Sequence, residues 1–577
     1  MDTITFSVLQ SAFKSIADEM NINMFRSAYS AVITEGRDIG AALFNGNGNL
    51  IVQGESDLGV FVTMMQYSVR KIVEVYEGNL FEGDVFINND PFIGGTHFND
   101  VGVIKPVFYK GKRIGFVAIA GHWADVGGST PGSLNSVAEE HFEEGLRIPP
   151  VKIMERGVMA KGVHDIIMSN VRIPWEREGD LSSQISSVAI GERRVIELAD
   201  KYGVENILEF MEETIEYAKV MLEKEIDKIP DGSYFFEEYM DEESKYCKDP
   251  VKIAVKMTVK GNRMEFDFSG SDPQTRSAAN GTYSSTVSAV IVTIKSLFPD
   301  VPMSYGCFLP ISFIIPEGTV VNARPPAAIS AMAGTVYEKV IGVSLGALAH
   351  ACPEKSTGCP HGLINLVMGG VDDKTGEYYV MYLFSEGGFG GRATKDGSSG
   401  LVSLFGGGAR ITPVEVFERK YPILFNQWSL RQDSGGPGRF RGGNGSIKRF
   451  VIARGTAKLS ALGDREKFPP WGLFGGKPAM PQGLVLNMGT EREVNLTLKA
   501  SNYLVKEGDE VTVLVAGGGG YGDPLERDYA LAEKDFLHGL LSSEHLYQEY
   551  GIVIDDQDKV DTAASDRLRA EMREAAE

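Results

Sequence analysis

Apolar positions recur at helical spacing at the start of the chain. Phe6, Leu9, Phe13, Ile16 and Met20 define one face and Asp18 and Glu19 sit on the wetter one, which predicts an amphipathic helix over 5–31. Ile39–Phe44 is a buried-strand run, Asn45–Asn49 a hairpin-type turn, and Leu50–Val52 the returning strand. Helical character resumes over 59–78. A second hairpin follows, with Val101–Tyr109 and Ile114–Ile119 folding back around Gly111. Residues 146–150 are extended, because proline restricts the residue before it. Two helices dense in i,i+4 charge pairs fill 180–226.

The pattern changes near Asp231. Val251–Val259 and Met264–Phe268 flank a Gly-Asn turn, helices are expected over 283–297 and 328–350, and a strand pair over 361–382. From Ser385 onward glycine comes in clusters without a fixed period, so no repeat is assigned. Beyond Pro524 the chain is charged and helical, with a polar, partly disordered tail expected over 553–577. These features predict a multidomain α+β protein with mixed helices and Gly-rich β-sheets. Its expected parts are an N-terminal domain over 1–230, a β-rich, Gly-rich domain over 231–525 and a charged helical tail over 526–577.

Length supports more than one core, since 577 residues exceed what a single core organises. A net charge of −21 argues against nucleic acid or an anionic membrane as principal partner. Four scattered cysteines, Cys247, Cys307, Cys352 and Cys359, form no C-x-x-C pair and are expected to be free thiols in a reducing compartment. With neither a basic, apolar leader nor a membrane-length apolar run, a cytoplasmic protein is expected. The 67 glycines predict many tight turns.

Candidate chemistry concentrates between Asn89 and Gly128. His97 and Asp100 are three apart, and the hairpin returns His122 toward them. Two imidazoles and one carboxylate from turns suit a divalent metal with open positions. A His–Asp pair at this spacing also caps turns. Favouring the metal is the crowding of Asp90, His97, Asp100, His122 and Asp125 among glycines that permit close backbone approach. Asp38, at the head of a strand, is either a further ligand or a partner for Arg37 or a turn. His141, within the acidic stretch 139–144, reads as a surface residue. No phosphate-binding P-loop occurs, and the glycine clusters lack the setting of a dinucleotide fold. Asp433–Pro437 imitates a serine-protease motif without its histidine partner.

Glu19-Met20, Arg26–Ser30, Asn89–Pro91, Gly94–His97 with Asp100, Gly121-His122 with Asp125–Gly128 and Glu144–Pro150 appear in order. Thr412–Glu415, Asp433–Gly436, Arg441–Gly443, Pro470–Gly472 and Gly517–Pro524 follow. From Thr3 to Asp528 the chain resembles the hydantoinase B family, which includes N-methylhydantoinase and oxoprolinase components, caprolactamase small subunits and alpha-type subunits of acetone carboxylase. The resemblance implies a hydantoinase A-type partner subunit that binds ATP and magnesium and hydrolyses the nucleotide. It also implies zinc or manganese held by His97, Asp100 and His122, with Asp38 completing the set. One departure is apolar: many relatives carry a histidine near Val60, where this chain reads Leu58–Thr63.

The expected activity is ATP-dependent opening of a lactam, hydantoin or oxoproline ring, with bicarbonate as a conceivable carrier of phosphate. Alternatives are an ATP-dependent ketone carboxylase and a scaffold whose metal braces loops. Asp125, with Asp90 behind it, is the candidate for proton transfer or for support of the metal ligands, and both are equally suited to bracing a turn. Arg147 is a candidate anion holder or a surface ion-pair partner.

Overall fold

The computed structural model describes residues 1–55, 57–241 and 249–576. Helix α1 (Thr3–Ser27) starts on its Asp2 cap and is followed by the short α2 (Ala31–Thr34). The predicted helix over 5–31 stops at Ser27, because the backbone N–H groups of Tyr29 and Ser30 donate to the Asp180 carboxylate at 2.9 and 3.1 Å. Strands β1 (Ile39–Asn45) and β2 (Leu50–Gln53), helix α3 (Gly59–Val75), and strands β3 (Val85–Asn88), β4 (Asp100–Tyr109) and β5 (Lys112–His122) come next. After β6 (Val151–Glu155) and β7 (Val158–Met159), helices α4 (Lys161–Ser169), α5 (Pro174–Tyr202) and α6 (Val204–Ile226) complete this half.

Its seven strands form one antiparallel sheet in the order β2-β1-β5-β4-β3-β6-β7. Alternation gives the sheet two buried faces. Ala41, Leu43, Val101, Val103, Val117 and Ile119 pack in one core with α1, α5 and α6. Ala42, Phe44, Ile104, Ala118 and Ala120 pack in another with α3.

The second half begins with β8 (Gly232–Met240), β9 (Val251–Lys260), β10 (Arg263–Asp267), α7 (Tyr283–Leu297) and β11 (Ile311–Ile314), whose strands order as β11-β10-β9-β8. Helix α8 (Val336–Ala351) starts eight residues later than predicted. The N–H groups of Ile329 and Ser330 are taken by the Glu144 carboxylate instead of by a helical turn. Strands β12 (Asn365–Val371) and β13 (Tyr378–Phe384) pair with Thr456–Leu462 and Tyr503–Lys506 in a four-stranded sheet, and five further strands between 423 and 514 form another.

Gly406–Gly408 and Gly475 lie in turns, but most of the clustered glycines do not. Segments around 358, 388–391, 435–445, 472–476 and 517–520 lie side by side, bonded backbone to backbone. Gly436 N–H donates to Gly518, Gly518 to Gly443, and Gly443 to Phe389, all at 2.8–2.9 Å. A Cβ on Gly442 would lie 1.7 Å from the Gly518 oxygen, and one on Gly443 would lie 1.9 Å from the Ser398 oxygen. Neither glycine has positive φ. Close approach, not torsional freedom, therefore requires glycine here.

The expected disordered tail is ordered through residue 576. Ile554 pairs with Val560, and a helix spans Thr562–Ala576. The helix Tyr529–Leu537, two before it, is tied down through Asp535, which accepts both Arg441 Nε (2.8 Å) and Arg527 Nη2. Cys307, Cys352 and Cys359 are free and buried, while Cys247 lies outside the described residues. Among the described residues no helix is long and apolar enough to cross a membrane.

If backbone contact dictates these glycines, Gly443→Ala should lower the unfolding temperature by about 2 °C or more, the scale of an overpacked core in a chain of this size. Gly46→Ala, where an added Cβ meets nothing within 4 Å, should stay within about 1 °C. Calorimetry of the two variants beside the parent checks both.

Candidate metal centre

Three neighbouring strands end in a row of polar side chains. Ile39 of β1 faces Gly121 of β5, and Asp100 of β4 faces His122. One step beyond β1, the His122 N–H donates to the Asp38 carbonyl at 3.0 Å. Asp38, His122 and Asp100 therefore stand side by side across the sheet. Strand alternation turns each toward the α3 face, in step with Ala42 and Phe44, Ala118 and Ala120, and Ile104.

His97 comes from the loop before β4, where its carbonyl accepts the Asp100 N–H at 3.0 Å. Asn89 fixes this loop. Its amide donates to Phe98 O (2.7 Å) and Leu146 O (2.9 Å) and accepts from Ile148 N (2.6 Å). Gly94 provides the left-handed turn, at φ 112°.

His97, Asp100 and His122 bring one ligand atom each to within 4.8 Å of one another, all buried. His122 Nδ1 and Asp100 Oδ1 are hydrogen-bonded at 3.0 Å. His97 Nδ1 lies 2.9 Å from Asp100 Oδ2, without the alignment of a hydrogen bond. Asp38 Oδ2 is 3.9 Å from His122 Nδ1, so the structure sets Asp38 at the edge of the group. The Nε2 atoms of both histidines are buried and have no partner. The Nδ1 atoms of both imidazoles face Asp100, so these two nitrogens and the carboxylate are the donors placed to share one ion.

Burial is the main force on these groups. It pushes the Asp38 carboxyl well above the usual range, helped by the negative charge of Asp100. Burial also acts upward on Asp100, but His97 and the bond with His122 outweigh it and hold that carboxyl below its ordinary value. His122 is lowered by burial against the pull of Asp100, which favours the neutral ligating form. The charged Asp100 carboxylate beside the neutral His122 imidazole makes an electron-rich pocket, and a divalent cation is the complement that fits it.

Asp125 and Asp90 stand outside the cluster. The fully buried Asp125 carboxylate accepts from Gly127 N (2.8 Å), Gly132 N (2.8 Å) and Arg172 Nη1 (2.8 Å), clamping the turn after His122. Asp90 accepts from Phe92 N (3.0 Å) and Arg147 Nε (2.8 Å). Arg147 is thus engaged internally. His141, expected at the surface, is buried against Phe92 and Phe98. The neighbouring Glu139, Glu140 and Glu143 remain wetter, which made the stretch look like surface.

Two residues near the ligands escaped the sequence reading. Tyr382 of β13 covers His122, with ring centroids 4.7 Å apart, so a strand from the second half closes the site. Nothing local in the sequence signals this long-range contact. Glu144, on which His97 acts electrostatically, joins 329–330 to the N-terminal half, and burial pushes its carboxyl up to about 7. Its signal was available in the Glu144–Pro150 motif.

The Hydantoinase B/oxoprolinase family model matches residues 2–524. The caprolactamase subunit beta of Pseudomonas jessenii is 30% identical, over 99% of this chain and 99% of its own. The crystal structure of the ATP-dependent caprolactamase from that organism superposes with a TM-score of 0.92 at 28% identity, covering 99% of this chain and 100% of the other. A nucleotide-free acetone carboxylase structure gives 0.91 at 20% identity, covering all of this chain and 83% of the other, a likeness of fold.

Metal analysis tests the cluster directly. The purified protein should carry about one zinc or manganese ion per chain, and His122→Ala or Asp100→Ala should weaken binding by about 100-fold or more. Asp38→Asn should weaken it less, and Asp125→Asn should leave stoichiometry unchanged while lowering thermal stability.

Proposed function

The chain belongs to the hydantoinase B/oxoprolinase family, and on that premise we propose that it is the metal-holding subunit of an ATP-dependent cyclic-amide hydrolase. It is an enzyme subunit of the ring-opening amidohydrolase type, in keeping with the caprolactamase to which it is similar over its whole length. The observation that supports the metal reading is the convergence of one buried ligand atom each from His97, Asp100 and His122 to within 4.8 Å of one another.

An unstrained amide resists water because resonance stabilises its carbonyl. In this proposal an ATP-binding, hydantoinase A-type partner phosphorylates the amide oxygen, directly or by way of bicarbonate, and so creates a better electrophile. On this chain, His97, Asp100 and His122, with Asp38 at the edge, would hold zinc or manganese. Such an ion supplies Lewis-acid polarisation and a water acidic enough to deprotonate near neutrality. Asp100 orients the His122 ring, and the covering Tyr382 excludes bulk water. Asp125 and Asp90 are positioning residues, acting through the turn after His122 and the loop before His97. The complex is proposed to work in the cytoplasm.

Tagged chain co-purified with its partner should release phosphate from ATP in response to a lactam, with stoichiometric ring-opened product. His122→Ala should lower product formation by about 100-fold or more in the same complex. Phosphate release driven only by a ketone with bicarbonate, or full turnover by His122→Ala, would refute the proposal.

A further inference from the structure

In a chain of net charge −21, a cleft with surplus positive charge runs against the rest of the surface. One such cleft, of about 620 Å³, lies between α3 and the start of α7, with Arg70, Lys71 and Arg147 among its walls. Each acid at the cleft is already paired. Asp90 holds Arg147 at 2.8 Å, Glu74 holds Lys71 at 2.9 Å, and Glu317 holds Arg324 at 3.2 Å. Arg70 differs from the others. Among the described residues it has no carboxylate partner. It donates to the neutral Asn49 amide oxygen at 2.6 Å, and its guanidinium lies 4.2 Å from the centre of the Tyr305 ring. Half-buried, and with one of its five N–H donors bonded, it is a charge that the cleft leaves uncompensated.

The remaining walls suit a small organic anion. Helix α7 begins here. Thr282 caps it, and Tyr283 and Ser284 bring its first N–H groups and the positive end of its dipole to the cleft. Tyr67 and Phe92 add flat apolar surface, and Tyr67 meets Tyr283 edge-on with centroids 6.3 Å apart. The volume is ample for a small ring bearing a phosphoryl group. The cleft also neighbours the metal cluster. Phe92, Ile93 and Gly94 line it, and the chain runs on through Gly95 and Thr96 to His97. A Cβ on Gly94 would lie 2.7 Å from Tyr67 Cβ and 2.8 Å from Ser68 N. The loop that carries His97 is therefore seated directly on α3, within a helical turn of Arg70.

We propose that this cleft is an oxyanion site, in which Arg70 binds the carboxylate or phosphoryl group of a small cyclic molecule bound for the metal centre. The part this site plays in turnover rests on the cyclic-amide function proposed above. A ring carboxylate and the phosphoryl group of an activated amide both present paired oxygens that a guanidinium grips with two N–H groups. Lys71 adds to the field, because its pair with Glu74 is exposed and of little strength. Arg147 is committed to Asp90 and adds less.

Phenyl phosphate, a ring with a phosphoryl group, is the probe, titrated calorimetrically into the full chain. Saturable binding is expected, weakened by added salt. Arg70→Met should weaken it by about tenfold or more, and Arg70→Lys should recover most of the loss because it restores the charge and not the Asn49 geometry. His122→Ala should bind the probe as the parent does, since neither histidine of the metal cluster lines the cleft. In the co-purified complex, 2-pyrrolidinone and 5-oxoproline, the same lactam without and with a carboxylate, separate the two sources of the anion. Arg70→Met should raise KM for 5-oxoproline alone if the group is the ring carboxylate, and should lower turnover of both rings if it is the phosphoryl group. No binding by the parent, equal binding by a folded Arg70→Met chain, loss of binding in His122→Ala, or unchanged kinetics with both rings would overturn the inference and leave the cyclic-amide function standing. Turnover of no cyclic amide by the metal-loaded parent complex would overturn that function, and the link from this site to turnover with it.

Discussion

Backbone pairing of β1, β5 and β4 forces Asp38, His122 and Asp100 into one buried row, and most of what surrounds them answers that constraint. A slip of one residue in either ladder would turn one of these side chains to the α5 face. Holding the row in place has an electrostatic cost. Two carboxyl groups lie within the field of one another, away from water, at a penalty on the order of several kcal/mol per ion if both are charged and unpaired. Protonation of Asp38 relieves part of it in the isolated chain. A bound dication would relieve it more completely, by reversing the local charge that drives that carboxyl upward.

The second half of the molecule holds this row dry and in place. Tyr382 covers His122, and Glu144 stitches residues 329–330 to the loop side of the site. Both contacts depend on how the second half is held. The side-by-side glycine segments let several chains pass at distances that any side chain would forbid. Asp535, accepting two arginines, fastens the C-terminal helices to those segments. A polar cluster made by local hairpin geometry is thus enclosed by long-range packing.

Much of the centre was legible because its signals are local. Alternation around Gly111 predicts the hairpin, and the hairpin returns His122 to Asp100. The helix over 283–297 was equally plain, its Thr282 cap and apolar run being contiguous. Other features were not local. Glycine clusters read as turns because sequence shows torsional freedom and not the neighbour that demands a missing Cβ. His141 read as surface because its acidic neighbours are hydrated while its own ring turns inward. Tyr382 lies 260 residues beyond His122 and carries no marker.

The central physical claim is that His97, Asp100 and His122 share one divalent cation. Crystals of the protein, diffracted above and below the zinc and manganese absorption edges, test it most directly. A single strong anomalous peak within bonding distance of both imidazoles and the Asp100 carboxylate is the expected result. Metal-replete crystals with no peak there, or with the ion bound elsewhere, would contradict it.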